Sequence, residues 1–486
     1  MKELLVYLKN ITELQESINI LNWELRICAP EQSKKHINEL ISKLERKLFV
    51  LETSEDYKTI LFNLVSSSEF KELSEEEQKY IHNLCISYFN KSAIPEELAI
   101  EKGIVAREST EAWLKAKENN DFEMFKPYLE RIIDITKKYY KKFGESSSVY
   151  DCMLNMYERG MSMEVINPLF EELKNAIVPI IGNSKRTKSK LRMKASDQEL
   201  QQCALFLLDY IGFDTSRGIV AIFPHGYTEK MNQDDIRIAM RRTDNPITFV
   251  KTIIHEGGHG IFEQNIDRKL CIFSNNLIDN LYALHESQSR FFENFLCKNI
   301  NFWIPIFDKV KEMLHLDCTL EEFMEGLNEI NVCPIRTEAD ELSYNLHIII
   351  RYEIEREIFN NNIDIDEIPR LWNEKYQEYM GILPTSDYSG ILQDIHWSEG
   401  HFGYFPSYTI GNIYDGIIYD IVKSNLVDID DILRNGRVKD ITDFLSENIY
   451  RYGGAYTYDE VFKNLGYQKS LSAKPLINYY NLKYKK

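Results

Sequence analysis

Apolar residues recur every three or four positions through the first 210 residues, as at Ile37, Ile41, Leu44 and Leu48 and again at Tyr128, Ile132, Ile135 and Tyr139. That spacing lays one buried stripe along an α-helix. It predicts helix after helix, interrupted at the turn-forming clusters Ser66-Ser67-Ser68, Glu145-Ser146-Ser147-Ser148 and Gly182-Asn183-Ser184. Near residue 217 the period shortens to two. Segments 218–223 and 235–240 alternate like strands, which predicts a small hairpin within 217–243 joined through His225-Gly226. Asn245-Pro246 then marks a helix start, because proline has no N–H to lose in a first turn. Further helices are predicted over 277–299, 336–361, 366–379, 408–423 and 429–448, with a loop-rich stretch at 381–407. The fold class is therefore mainly α: a single body over 1–486, with a helical N-terminal lobe to residue 210 and a second lobe, 211–486, that carries the hairpin.

Composition narrows the function classes. A chain that is 44% hydrophobic and 28% charged has the make-up of a folded, soluble protein. Its net charge of -18 speaks against nucleic acid as a partner, since phosphate-backbone binders present a basic face. No apolar run approaches the roughly twenty residues needed to span a bilayer, so no membrane association is expected. The N-terminus reads as an amphipathic helix with Glu3, Lys9, Glu13 and Glu16, lacking the apolar core of a secretory signal. The eight cysteines are scattered without a Cys-x-x-Cys pair, as for free thiols in a cytoplasmic protein.

The chemistry centres on His255-Glu-Gly-Gly-His259. Two histidines four apart share one helix face, with Cβ atoms about 5–6 Å apart, and can hold one cation. Glu256, beside the first, is placed to take a proton from metal-activated water. A catalytic zinc usually has three protein ligands. Glu286 is the candidate third, on a helix whose apolar side would be Leu277, Leu281, Leu284 and Phe291. Glu263, four residues past His259, reads first as a solvated glutamate, with orientation of that histidine as the alternative. Gly257 and Gly258 cost helix stability, which is read either as helix packing or as room for substrate or for a facing helix.

Four blocks in order now carry a resemblance: His255-Glu-Gly-Gly-His259, His285-Glu-Ser-Gln-Ser-Arg290, Ile335-Arg-Thr-Glu-Ala-Asp340 and Gly390-Ile-Leu-Gln-Asp-Ile-His-Trp397. The chain resembles the metallocarboxypeptidases typified by the thermostable carboxypeptidase Taq, over nearly its whole length. The resemblance implies a mostly helical, saddle-like fold with a deep groove, commonly a homodimer. It implies removal of single residues from peptide C-termini, with Zn2+ or sometimes Co2+ as cofactor. By position, His255, His259 and Glu286 would bind metal and Glu256 would be general base and acid. Two departures stand out. The family's Asp-x-Arg-x-Thr block reads Asp235-Ile-Arg237-Ile-Ala239, removing a hydroxyl from a strand expected to line the cleft, and Trp23-Glu24 replaces the family's Trp-Asp.

Substrates with a free C-terminus need a carboxylate reader, and a guanidinium offers two parallel charge-assisted hydrogen bonds. Arg336 is the leading candidate, and the alternative is an ion pair with Glu338, Asp340 or Glu341. With the resemblance, substrate contact is favoured for Arg336 and is considered for Arg237. His396, Tyr404 and Tyr408 crowd a loop where one could donate to the oxygen of the reacting carbonyl, and His225 has a similar standing. Two other functions share parts of this pattern: a helical zinc oligopeptidase that cuts internally, and a peptide-binding scaffold that has lost catalysis. Retention of Glu256 speaks against the second.

Overall fold

The computed structural model describes residues 1–143, 148–183, 189–223, 226–275 and 281–484. Among them are 22 α-helices and one three-stranded sheet. Of the expected stripes, Ile41 on Glu31–Glu52 and Ile132 and Ile135 on Phe122–Tyr140 are buried, while Ile37, Leu44, Leu48, Tyr128 and Tyr139 are half-buried. Side chains satisfy the free N–H groups at several helix starts, with reciprocal capping at Ser74/Glu77 and Ser196/Glu199. The break at residues 66–68 follows Glu55–Val65 as expected. The helix Met163–Asn183 runs through Gly182. Residues 145–147 and Ser184 lie outside the described residues, as does Leu277.

Several long helices are shorter than their apolar pattern. The stretch 429–448 is two helices, Ile429–Arg434 and Val438–Asn448, split by a turn at Gly436. The stretch 336–361 opens with a single turn, Arg336–Glu338, before the helix Ser343–Arg356. The Glu286 helix begins at Tyr282 and ends as α-helix at Arg290, widening to a π-turn over Phe291–Leu296.

The sheet corrects the expected hairpin. Strands β1 (Gly218–Phe223), β2 (Tyr227–Asn232) and β3 (Asp235–Arg241) lie in the order β1-β3-β2. The two strands read from the sequence are parallel neighbours, and the hairpin is β2 with β3. The missed strand is polar because its alternate residues bond to the helix Pro246–Gln264. Thr228 and Lys230 reach that helix, while Tyr227 and Met231 pack with Trp23 on the opposite face. Ala239 pairs across from Tyr227 and is fully buried in that second cluster. It therefore faces away from the histidine helix instead of lining a cleft.

The helix Pro246–Gln264 is buried on almost every side. A Cβ on Gly258 would lie 2.6 Å from Ser289 Cα and 2.8 Å from the Gln288 carbonyl oxygen. A Cβ on Gly411, in the helix Phe405–Asn425, would lie 2.9 Å from the Ala283 carbonyl oxygen. The Glu286 helix is thus pressed between two helices at glycine contacts, and Gly258 makes room for a facing helix. Gly257 lies against Leu208 and Ile211. No described helix is long and apolar enough to cross a membrane. All eight cysteines are free thiols.

Candidate metal centre

Asn245 caps the central helix, its side-chain oxygen accepting from the N–H groups of Ile247 at 2.9 Å and Thr248 at 3.2 Å, with Pro246 in the first turn. One helical turn then brings His255 and His259 edge to face, with ring centres 5.0 Å apart. Glu286 arrives from the facing helix. Its Oε2 lies 3.4 Å from His259 Nε2 and 3.9 Å from His255 Nε2, and one donor atom from each residue falls within 4.8 Å of the other two. Metal–ligand bonds of about 2.0–2.2 Å place neighbouring donors of a tetrahedral zinc about 3.3–3.6 Å apart. The donor set and its spacing fit a divalent metal.

Charge is arranged to match. Burial disfavours ionised Glu286, but His255 and Arg290 hold its carboxyl well below the usual range. Burial and then His285, whose ring stacks on His259 at 4.5 Å, push His259 down to about 3, so its imidazole is neutral. Against burial, Glu286 and the hydrogen bond to Glu293 raise His255. Burial pushes Glu256 up, opposed by His255 and by the Thr228 hydroxyl, which donates to Oε2 at 2.8 Å.

A second ring of residues fixes the first. Glu293 Oε2 is 3.0 Å from His255 Nδ1, which turns Nε2 of that ring toward Glu286. Arg290 donates to Glu286 Oε1 at 2.8 Å and to Glu293 Oε2 at 3.2 Å, and Lys251 lies 3.3 Å from Glu293. Sequence reasoning missed Glu293, Arg290 and Thr228. Glu286 and Arg290 are four apart on one helix face, a spacing that could have revealed Arg290. Thr228 sits on the unread strand. The expectation for Glu263 is corrected: it bonds Lys230 at 2.8 Å and lies 3.2 Å from His285, while His259 Nδ1 has no hydrogen-bond partner among the described residues.

Arg336 is buried, but not on the acidic residues of its own block. Its Nε and Nη2 donate to Asp394 Oδ1 at 3.0 and 2.9 Å, and its Nη1 to the Tyr344 hydroxyl at 3.0 Å. Arg351 holds the other Asp394 oxygen at 2.8 and 2.5 Å. The Tyr344 ring also lies under the Arg290 guanidinium, 4.2 Å from its centre, so one ring joins this cluster to the metal ligands. The Tyr408 ring centre is 5.2 Å from the Arg336 guanidinium carbon. His396 lies between Tyr404 and Phe405, and burial followed by Arg336 pushes it down to about 3. Arg237 stands apart, bonded to Asp235 and over the Trp23 ring on the far face of the sheet. His225 lies outside the described residues.

The family described as carboxypeptidase Taq (M32) metallopeptidase matches residues 3–484. Carboxypeptidase 1 of Bacillus subtilis is 35% identical over 493 residues, covering 99% of this chain and 97% of its own. Thermostable carboxypeptidase 1 of Pyrococcus furiosus is 30% identical over 474 residues, covering 95% and 94%. The crystal structure of an M32 carboxypeptidase from Deinococcus radiodurans R1 superposes with a TM-score of 0.93 at 26% identity, covering 99% and 98%.

Proposed function

The chain belongs to the carboxypeptidase Taq (M32) family of metallopeptidases and is a hydrolase of that kind; from this premise we propose that it is a zinc carboxypeptidase that removes C-terminal residues of peptides one at a time. His255, His259 and Glu286 would hold the metal, with Co2+ able to replace zinc. When bound, the metal supplies Lewis acidity for the attacking water and the scissile carbonyl. Glu256 takes the water's proton and returns it to the leaving amine. Thr228 bonds Oε2 of Glu256, and no described residue donates to Oε1, which is the oxygen left for that proton. Tyr404, pushed up to about 12 by burial and then by Glu286, keeps its proton at neutral pH. With Tyr408 and neutral His396 it can donate to the oxygen of the reacting carbonyl.

The observation that carries the exopeptidase reading is the cluster of Arg336, Asp394 and Arg351. Two guanidiniums share one carboxylate, which leaves one positive charge beside the metal ligands. Arg336 spends three of its five N–H groups on Asp394 and Tyr344 and keeps one on each Nη, a fork suited to a terminal carboxylate. The reading includes a homodimer, testable by sedimentation, and a helical lobe over 1–210 distinct from the metal-site lobe over 211–486. To test the activity, the zinc-loaded enzyme is incubated with an N-blocked dipeptide and with its C-terminally amidated twin. Cleavage of the acid alone is expected. Equal cleavage of both overturns the exopeptidase reading, and internal fragments from longer peptides would identify an oligopeptidase instead.

A further inference from the structure

Glu286 rides on a helix of nine residues, Tyr282–Arg290, which is too short to hold its own position. The N-cap residue of that helix, Leu281, offers no side-chain hydrogen bond to the free N–H groups of the first turn. The missing acceptor comes from 125 residues upstream. Glu158 Oε2 accepts the Ala283 N–H at 2.9 Å, and the same carboxyl faces the Leu284 N–H. Its other oxygen accepts from the Tyr414 hydroxyl at 3.2 Å. Glu158 is 1% exposed, and its backbone forms an isolated antiparallel bridge with Leu281.

Tyr414 belongs to the helix Phe405–Asn425, whose Gly411 touches the backbone of Ala283. One carboxyl therefore ties together the first turn of the ligand helix and the helix on its flank. A glutamate deep in an apolar core is costly unless its oxygens are satisfied. Here they are satisfied by the groups that set where Glu286 stands.

We propose that Glu158 is a positioning residue for the metal centre, acting as a remote N-terminal cap that fixes the height and rotation of the Glu286 helix relative to His255 and His259. This rests on the proposed metal site. Burial pushes the Glu158 carboxyl up to about 8, and a carboxyl accepts hydrogen bonds in either protonation state, so the acceptor atoms matter more than the charge. An amide keeps one acceptor oxygen for Ala283 and can donate its NH2 to the Tyr414 oxygen. Glutamine should therefore replace glutamate, and alanine should not.

The test compares the full chain with Glu158→Ala, Glu158→Gln and Tyr414→Phe. Zinc affinity is measured by competition with a chelating dye, and the thermal midpoint of the metal-free protein is measured in parallel. Support around a metal ligand is typically worth about 10- to 100-fold in affinity. Glu158→Ala should lose that much, Glu158→Gln should stay within about threefold of the parent chain, and Tyr414→Phe should fall a few-fold between them. A lowered thermal midpoint with unchanged zinc affinity in Glu158→Ala overturns the proposal. If that variant does not fold, unchanged affinity in Tyr414→Phe overturns it. Failure of the underlying site would look different: the parent chain and His259→Ala would then bind zinc equally.

Discussion

The metal centre and the Arg336 cluster are neighbours of opposite character. Around the histidines, three carboxylates (Glu256, Glu286 and Glu293) meet two cations, Arg290 and Lys251. In the other cluster, two guanidiniums meet one carboxylate. One region lacks positive charge and the other lacks negative charge, and both are largely withdrawn from water, where such imbalance is expensive. In the proposed function each is completed by a different guest: a divalent cation at the first and a peptide's terminal carboxylate at the second. The two differ in construction as well. His255, His259, Glu286 and the charged side chains that hold them come from two facing helices, whereas the Arg336 cluster gathers a turn at 336, a helix carrying Tyr344 and Arg351, and a loop carrying Asp394.

The sharpest way to break this division is on the metal side. Glu256→Gln should lower kcat/KM by about 10²- to 10⁴-fold, the usual worth of a general base, with metal content unchanged by elemental analysis. Loss of metal along with activity would make Glu256 part of the binding cradle instead. Next, Arg336→Ala should cost about 10- to 100-fold in kcat/KM on free-acid peptides, in keeping with about 1.5–3 kcal/mol for charged hydrogen bonds. The loss is read on the free acid, the amidated twin remaining uncleaved by both enzymes, and zinc affinity should stay put. A fall in zinc affinity would mean that the two clusters act as one.

Glu293→Gln should weaken zinc about tenfold by chelator competition, because His255 Nδ1 loses its charged partner, while saturating zinc restores most of kcat. Smallest in effect, Gly258→Ala should lower the thermal midpoint by a few degrees. The added methyl group meets the backbone of Ser289, and such overpacking costs about 1–3 kcal/mol. An unchanged midpoint would show that the two helices can separate freely.

The same contrast explains what the sequence could tell. His255 and His259 are legible because helical spacing alone makes them neighbours, and Glu286 because the next apolar stripe carries it. The helical class was legible from period. Strand β2 was hidden because Thr228 and Lys230 trade apolar alternation for bonds to Glu256 and Glu263. The partner of Arg336 was hidden because Asp394 lies 58 residues away, and no local period records which distant carboxylate fills a guanidinium. Glu293 sits past the point where the helix widens into a π-turn, which changes the rotation that a strict 3.6-residue count assumes.

The ring of Tyr344, shared by Arg290 and Arg336, acts as a ruler. Both guanidinium carbons lie within 5.8 Å of its centre. The gap between the guanidinium that bonds Glu286 and the one proposed to grip the chain end therefore spans no more than about three residues of extended peptide, at about 3.5 Å each. On the proposed function, cleavage register becomes a matter of length measured by one rigid aromatic spacer. A substrate whose last residue carries one extra backbone methylene would present the wrong atom for attack, however well its side chain fits.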